Sequence, residues 1–325
     1  MIDRRTLCIS LLAFGPASRS VAQARPKLIG GLFPWSRESA ELISARFVAA
    51  LGALGYVSGR HFSFESRAAD GQNEHLPALA RELVQLKVDL LIAATTNAAS
   101  AARAATRTIP IVFYSVAEPV KSGFADSLAR PGHNMTGVSN DGRSLDPKRV
   151  DLMRQLIPGL ERIAYLLNPT SPFYVGAAED YQALARRFGL RALMVNASKA
   201  EELEPAFREM VAFRAQALVV MGDAFLSGLT NEIGALSASN RLPSIWSFGP
   251  PARARGVLIG YGANTEGYER QVAGYVDKIF QGAKPEDLPI VEPIKYDFVI
   301  NRTTADLLKI KIPPPLLLQA TSVVE

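Results

Sequence analysis

One unit recurs along this chain: a short apolar run, a stretch of helical periodicity closed by glycine, then another run. Lys27 to Phe33 (KLIGGLF) is ended by Pro34, and Ile43, Phe47, Ala50 and Leu54 follow at helical spacing up to Gly55. His61 to Glu65 alternates as a strand does, and Leu76, Leu79, Ala80, Leu83 and Leu86 form one apolar stripe with Pro77 in its first turn. Val88 to Ala94 is continuously apolar, as a parallel strand buried on both faces must be. A helix from Asn97 to Ala105 and a strand from Ile109 to Tyr114 end the first half.

The same order restarts at Arg162. A strand runs to Leu167, a helix carries Tyr174, Ala178, Tyr181, Ala185 and Phe188 on one face with Gly189 as its stop, and Arg191 to Val195 is the next strand. Ser198 and Glu201 read as a capping box opening a helix with Leu203, Phe207, Met210 and Val211 inward, and Ala217 to Met221 follows as a third strand. Two halves of this kind predict an α/β fold of two similar doubly wound parallel-sheet lobes rather than one large sheet. Asn134 to Pro147, rich in Gly, Ser, Asn and Asp, falls between them as a linker would. Val257 to Tyr261 and Lys295 to Ile300 read as strands, Glu266 to Phe280 as a helix, and Pro313-Pro314-Pro315 as a stop.

The first 24 residues read as an address. Arg4-Arg5, the apolar run Leu7 to Phe14 and the small-x-small pattern Ala22-Gln23-Ala24 make a secretory signal cleaved near Ala24, using the general secretory or the twin-arginine route. A membrane anchor would need about 20 apolar residues, and Gly15, Pro16 and Arg19 interrupt this run. Removing the segment takes away three arginines, one aspartate and the only cysteine, Cys8, so the charge falls from +5 to +3. A periplasmic, cysteine-free protein is expected, without disulfides. Its cations are scattered among acids in no block of five or six, which argues against a nucleic-acid partner.

In open parallel sheets, ligands sit beyond the carboxyl ends of the strands, where helix N-termini point free N–H groups. That rule selects Phe33-Pro34-Trp35-Ser36, Thr95-Thr96-Asn97, Asn168-Pro169-Thr170-Ser171 and Met221-Gly222-Asp223, which line one cleft if the halves face each other. Thr95, Thr96 and Asn97 are either helix caps or an anion seat. Asp223 is either a cap or the counter-charge of a ligand ammonium. Trp35 can stack on a ligand or pack at a hinge, and Asn168 before Pro169 is also a common turn former. His61, His75 and His133 show no metal-ligand spacing, and neither a Gly-x-Ser-x-Gly elbow nor a Gly-x-x-x-x-Gly-Lys loop occurs. Gly260-Tyr261-Gly262 after a strand suggests dinucleotide binding but fails at the third glycine, where Thr265 stands. No catalytic residue, metal or cofactor is expected.

Several stretches resemble the ABC-transporter substrate-binding family related to tryptophan- and tyrosine-binding lipoproteins, with the type I periplasmic-binding-protein fold. They are LGALGYVSGR (Leu51 to Arg60), LPALARELVQLKVDL (Leu76 to Leu90), IPIVF (Ile109 to Phe113), SLARPGHNMTGV (Ser127 to Val138), AGYVDKIFQGAKPEDLP (Ala273 to Pro289) and FVINRTTADLLKIKI (Phe298 to Ile312). The resemblance implies two lobes joined by a three-crossover hinge: residues 25–140 with 265–290, and residues 141–264 with 291–325. It implies a small-molecule ligand closed between them, a monomer, and docking on an inner-membrane ABC permease with its cytoplasmic ATPase. For the site it points to Thr95, Thr96, Asn97, Asn168, Pro169, Asp223 and Tyr261 to Asn264. Glu118-Pro119 stands where the family often has Asp-Pro, and the surroundings of Pro34-Trp35 are individual.

The expected ligand is a small organic anion or zwitterion, such as an aromatic amino acid or aromatic acid. The carboxylate would fall to Thr95, Thr96 and Asn97, an amine to Asp223, and ring contacts to Trp35, Tyr114, Phe173, Phe225 and Tyr261, with Ser115, Glu118 and Asn264 completing the candidates. Two rivals share the pattern: an exported two-domain α/β enzyme acting on a sugar or nucleotide, and a ligand-sensing subunit of a membrane receptor.

Overall fold

The computed structural model describes residues 25–140, 143–171, 174 and 177–325; the expected signal segment, residues 1–24, and Phe173 lie outside them. The first half runs β1 (Lys27–Phe33), α1 (Arg37–Ala53), β2 (Phe62–Ala68), α2 (Leu76–Gln85), β3 (Leu90–Ala94), α3 (Thr95–Ala105), β4 (Ile111–Ala117) and β5 (Met135–Asn140). The second runs α4 (Asp146–Leu156), β6 (Arg162–Leu167), α5 (Ala177–Arg187), β7 (Arg191–Asn196), α6 (Leu203–Ala212), β8 (Ala217–Val220), α7 (Ala224–Gly228), α8 (Thr230–Ser239), β9 (Ser244–Trp246) and β10 (Ile259–Ala263). After these come α9 (Tyr268–Phe280), β11 (Tyr296–Asn301), α10 (Arg302–Leu308), α11 (Pro314–Gln319) and β12 (Ser322–Val324).

Two sheets form, in the orders β2-β1-β3-β4-β5 and β12-β11-β10-β9-β8-β6-β7. All pairs are parallel except β10 with β11. The chain passes between the sheets after β5, after β10 and before β11, so the fold is two doubly wound lobes on a three-segment hinge. β3 (LLIAA) is buried along its whole length, and the first sheet carries one core on its α2–α3 side and another on its α1–α9 side. The second sheet is likewise covered on both faces. Helix α9 packs on α1, β4 and β5, in the first lobe. Val291 still bridges Val138 of β5, and the tail joins the second sheet only at Tyr296.

Several expectations need correction. The polar stretch expected as a linker holds β5 instead; its Thr136 and Ser139 hydroxyls donate to the carbonyls of Leu288 and Val291, so polarity there serves a crossing strand edge. Gly137 has φ 148°, and a Cβ would meet the Phe113 carbonyl oxygen at 2.1 Å. The acid that reaches back to Ser198 is Glu202, because a 3₁₀ turn over Ala200–Glu202 precedes α6; its carboxylate accepts from both the Ser198 N–H and hydroxyl, which holds it below the usual range. The proline run opens α11 at its first turn rather than ending the fold. Helix α4 escaped the sequence reading altogether.

Candidate functional site

The carboxyl ends of β1, β3 and β4 in one lobe face those of β8 and β9 in the other, and a cavity of about 470 Å³ lies between them. Trp35, Thr95, Thr96, Asn97, Tyr114, Ser115 and Asp223 line it. Strand register explains this convergence: Ala94 pairs with Tyr114, and Val220 with Trp246, so the residues after each strand end emerge side by side.

Thr95 to Asn97 are not caps. Helix α3 begins at Thr95 itself, its N-cap is Ala94, and no side chain closes it. Instead the acceptors of these residues are engaged elsewhere. Thr96 Oγ1 accepts from the Ala117 N–H (3.0 Å), and Asn97 Oδ1 accepts from the Ser171 hydroxyl of the opposite lobe (3.1 Å). The Thr95 hydroxyl is buried with no partner. Toward the cavity these residues offer donors: two threonine hydroxyl protons, the Asn97 amide nitrogen and the first free N–H groups of α3. Thr95, just after β3, has φ 71° and Ser115, at the register shift within the neighbouring β4, has φ 60°, both in the left-handed region. For a β-branched residue this is strain of about 1–2 kcal/mol, stored at the cavity wall.

Asp223 faces this donor set. Its Oδ1 accepts from Asn168 Nδ2 (2.9 Å) and from the Phe225 and Leu226 N–H groups (2.9 and 3.3 Å), capping α7. Burial raises its carboxyl above the ordinary value, against the pull of Asn168, these two N–H groups and the Asn73 amide of the first lobe. Asn73 is near enough to exert that pull, yet neither of its amide atoms meets a hydrogen-bonding partner. Asn168 does not line the cavity; its Oδ1 accepts from the N–H and hydroxyl of Thr170, as a turn former does, while its Nδ2 holds Asp223.

The aromatic side of the cavity comes from the first lobe. Trp35 stacks on Phe33 (6.2 Å) and meets Tyr114 edge-on (6.4 Å), with Leu42 and Ile43 of α1 beside them. Burial, then the nearby Glu269, pushes the Tyr114 hydroxyl far above its usual range.

The other candidates sit elsewhere. Glu118 pairs with Arg143 (3.5 Å) and Lys121. Pro169 is exposed, and Phe225 packs against the core of the second lobe. The Tyr261 ring turns into the opposite core edge-on to Phe298, and Asn264 donates to Asp297 (2.8 Å). The Gly260-Tyr261-Gly262 run serves close approach: a Cβ on Gly262 would stand 2.0 Å from the Ser247 carbonyl oxygen. Among the described residues no three His, Asp or Glu groups gather as a metal site, and no helix is long and apolar enough to cross a membrane.

The residue that sequence reasoning missed is Arg149. It is 2% exposed and lines the cavity from α4. Its guanidinium donates from Nε to the Tyr261 carbonyl, from Nη2 to the Ser247 carbonyl (both 2.9 Å) and from Nη1 to Asp146. Burial raises the Asp146 carboxyl even against that arginine.

Two α/β lobes on a three-segment hinge, with a small polar and aromatic cavity closed between them, define a bilobal solute-binding protein. A model of the ABC transporter substrate binding protein family matches residues 33–324, and the chain belongs to that family. The tyrosine-binding protein of Clostridioides difficile (strain R20291) is 26% identical over 261 residues, 79% of this chain and 74% of that one. A conserved domain protein of Vibrio cholerae O1 biovar El Tor has a TM-score of 0.84 at 25% identity, covering 92% of this chain and all of its own. An ABC domain of Streptococcus pneumoniae, solved in complex with L-Trp, shares the fold with a TM-score of 0.82 at 23% identity and the same coverage.

Proposed function

We propose that this chain is the periplasmic solute-binding component of an ABC importer and that its ligand is a small zwitterion with an aromatic part. One observation carries the reading: the first lobe offers hydroxyl, amide and backbone N–H donors around Thr95, Thr96 and Asn97, while the facing carboxylate of Asp223 in the second lobe offers acceptors. A carboxylate fits the first and an ammonium the second. Trp35, Tyr114, Leu42 and Ile43 form the wall for a ring, and Ser115 lies beside them. The volume of about 470 Å³ suits one amino-acid-sized molecule. A ligand held at both ends bonds to both lobes only when they are closed, so its binding shifts the hinge equilibrium toward closure.

The tyrosine-binding relative supports an aromatic amino acid as ligand. Family membership supports a membrane permease with its cytoplasmic ATPase as partner, recognising the closed monomer. The composition of residues 1–24 supports export by a cleaved signal. In this reading the lobes are residues 25–140 with 265–290 and residues 141–264 with 291–325, joined at the hinge.

The test is calorimetric titration of refolded mature chain with L-tyrosine, L-tryptophan, L-phenylalanine, the matching aromatic 2-oxo acids, sugars and nucleosides. Binding of an aromatic amino acid, weakened when the amine is replaced by a keto group, is the expected result. Binding of a sugar or nucleoside with none from the amino acids would overturn it.

A further inference from the structure

A second polar region lies one strand step from the zwitterion seat, toward the hinge. Thr95 follows β3 and Ser115 lies in the adjacent β4; Asp223 follows β8 and Ser247 follows the adjacent β9. Neighbouring strands stand about 4.8 Å apart, so in both lobes this region lies beside the charged seat on its hinge side, within the span of one amino-acid-sized ligand. On this hinge side Ser115 and Arg149 are among the residues that line the cavity.

Both present donors. Ser115 Oγ accepts from Asn140 Nδ2 (3.2 Å), which leaves its hydroxyl proton to give. Arg149 has five N–H groups, of which three are engaged by Tyr261, Ser247 and Asp146; the described residues take neither of the other two. Those three anchors come from α4, the loop after β9 and the hinge strand β10, so the guanidinium plane is fixed before any ligand arrives. A rigid, buried fork with unused N–H groups is left unsatisfied by a purely hydrocarbon ring and by an indole, whose nitrogen only donates.

We propose that Arg149 selects ligands whose distal end carries a hydrogen-bond acceptor, such as a phenolic, carbonyl or carboxylate oxygen, over rings that lack one. This inference rests on the aromatic zwitterion reading above, and assigns it a specificity-determining residue. The alternative is that Arg149 only clamps the hinge strand, which would affect all ligands alike.

The test compares L-tyrosine and 4-carboxy-L-phenylalanine with L-phenylalanine on the whole mature chain. Acceptor-bearing ligands should bind about 10- to 100-fold more tightly, the range for a hydrogen bond to a charged group. In D146N/R149M, which removes both buried charges together, the ratio of affinities should fall to near one. Equal binding of the three ligands by the native chain would overturn the inference and leave the aromatic zwitterion reading intact; so would a ratio that survives in the double variant. Absence of binding by all three overturns both. Should the double variant fail to fold, ultraviolet titration of 3-fluoro-L-tyrosine on the native chain decides: a donor fork lowers the phenol's pKa on binding, whereas an unchanged or raised value overturns the proposal.

Discussion

Ser171 and Asn97, 74 residues apart in the chain, meet across the cleft: the serine hydroxyl donates to the amide oxygen at 3.1 Å with both side chains buried. This bond exists only with the lobes together, and it occupies the Asn97 oxygen while leaving its nitrogen to donate. Ser171→Ala should therefore weaken ligand binding several-fold, in line with about 0.5–1.5 kcal/mol for one hydrogen bond, through faster dissociation. Stopped-flow displacement would measure it, and the unliganded melting temperature should hardly move.

Asp223→Asn separates charge from capping. Asn can still accept from Asn168, Phe225 and Leu226, so α7 stays capped, but the anionic partner of an ammonium is gone. Affinity for an aromatic amino acid should fall at least about tenfold, the scale of a lost charge-assisted bond, while the amine-free 2-oxo acid should be much less affected.

The same carboxyl makes unliganded stability depend on pH. Its folded-state pKa is raised by burial, so it stabilises the fold most at pH below the ordinary aspartate value, and that contribution is lost as pH rises through the raised value. Asp223→Asn, which is never charged, should melt higher than the native chain at neutral pH. The gap should close as pH is lowered toward the ordinary value, as thermal melts across pH would record.

Thr95→Gly tests stored strain. Glycine adopts φ 71° freely, so the unliganded protein should gain about 1 kcal/mol from relief of the left-handed threonine, offset in part by glycine's greater freedom when unfolded. Ligand affinity should drop with loss of the idle hydroxyl. Opposite movement of stability and affinity in denaturant melts and titrations is the expected signature.

Trp35 and Trp246 are the only tryptophans; the second is fully buried in the core, while the first lines the cavity. Ligand binding should change the fluorescence of the native chain, and Trp35→Phe should abolish most of that change.

The alternating runs were legible because burial on both sheet faces demands them: β6 was read at its actual bounds, Arg162–Leu167, and β3 from its unbroken apolar run. Helix α4 was not legible. Its sequence, DPKRVDLMRQL, hides Val150, Leu152, Met153 and Leu156 among charges, two of which, Asp146 and Arg149, are buried as a pair. Periodicity treats every charge as solvent-facing, so a helix whose inner face holds an ion pair looks like a loop. The same blindness removed Arg149 from the candidate site. The strand-end rule gathered Thr95, Thr96, Asn97 and Asp223 around one cavity, but it could not foresee that Tyr261 turns inward or that Glu118 is taken by Arg143.

Because the donors stand on one lobe and the carboxylate on the other, occupancy and closure are separable events. On the proposed reading, a compound with only a carboxylate and a ring can fill the first lobe without giving Asp223 its counter-charge, and so favours the closed form less. If a transporter reads the closed form, as the proposed import role requires, such a molecule would be an antagonist, competing for the cleft without being delivered.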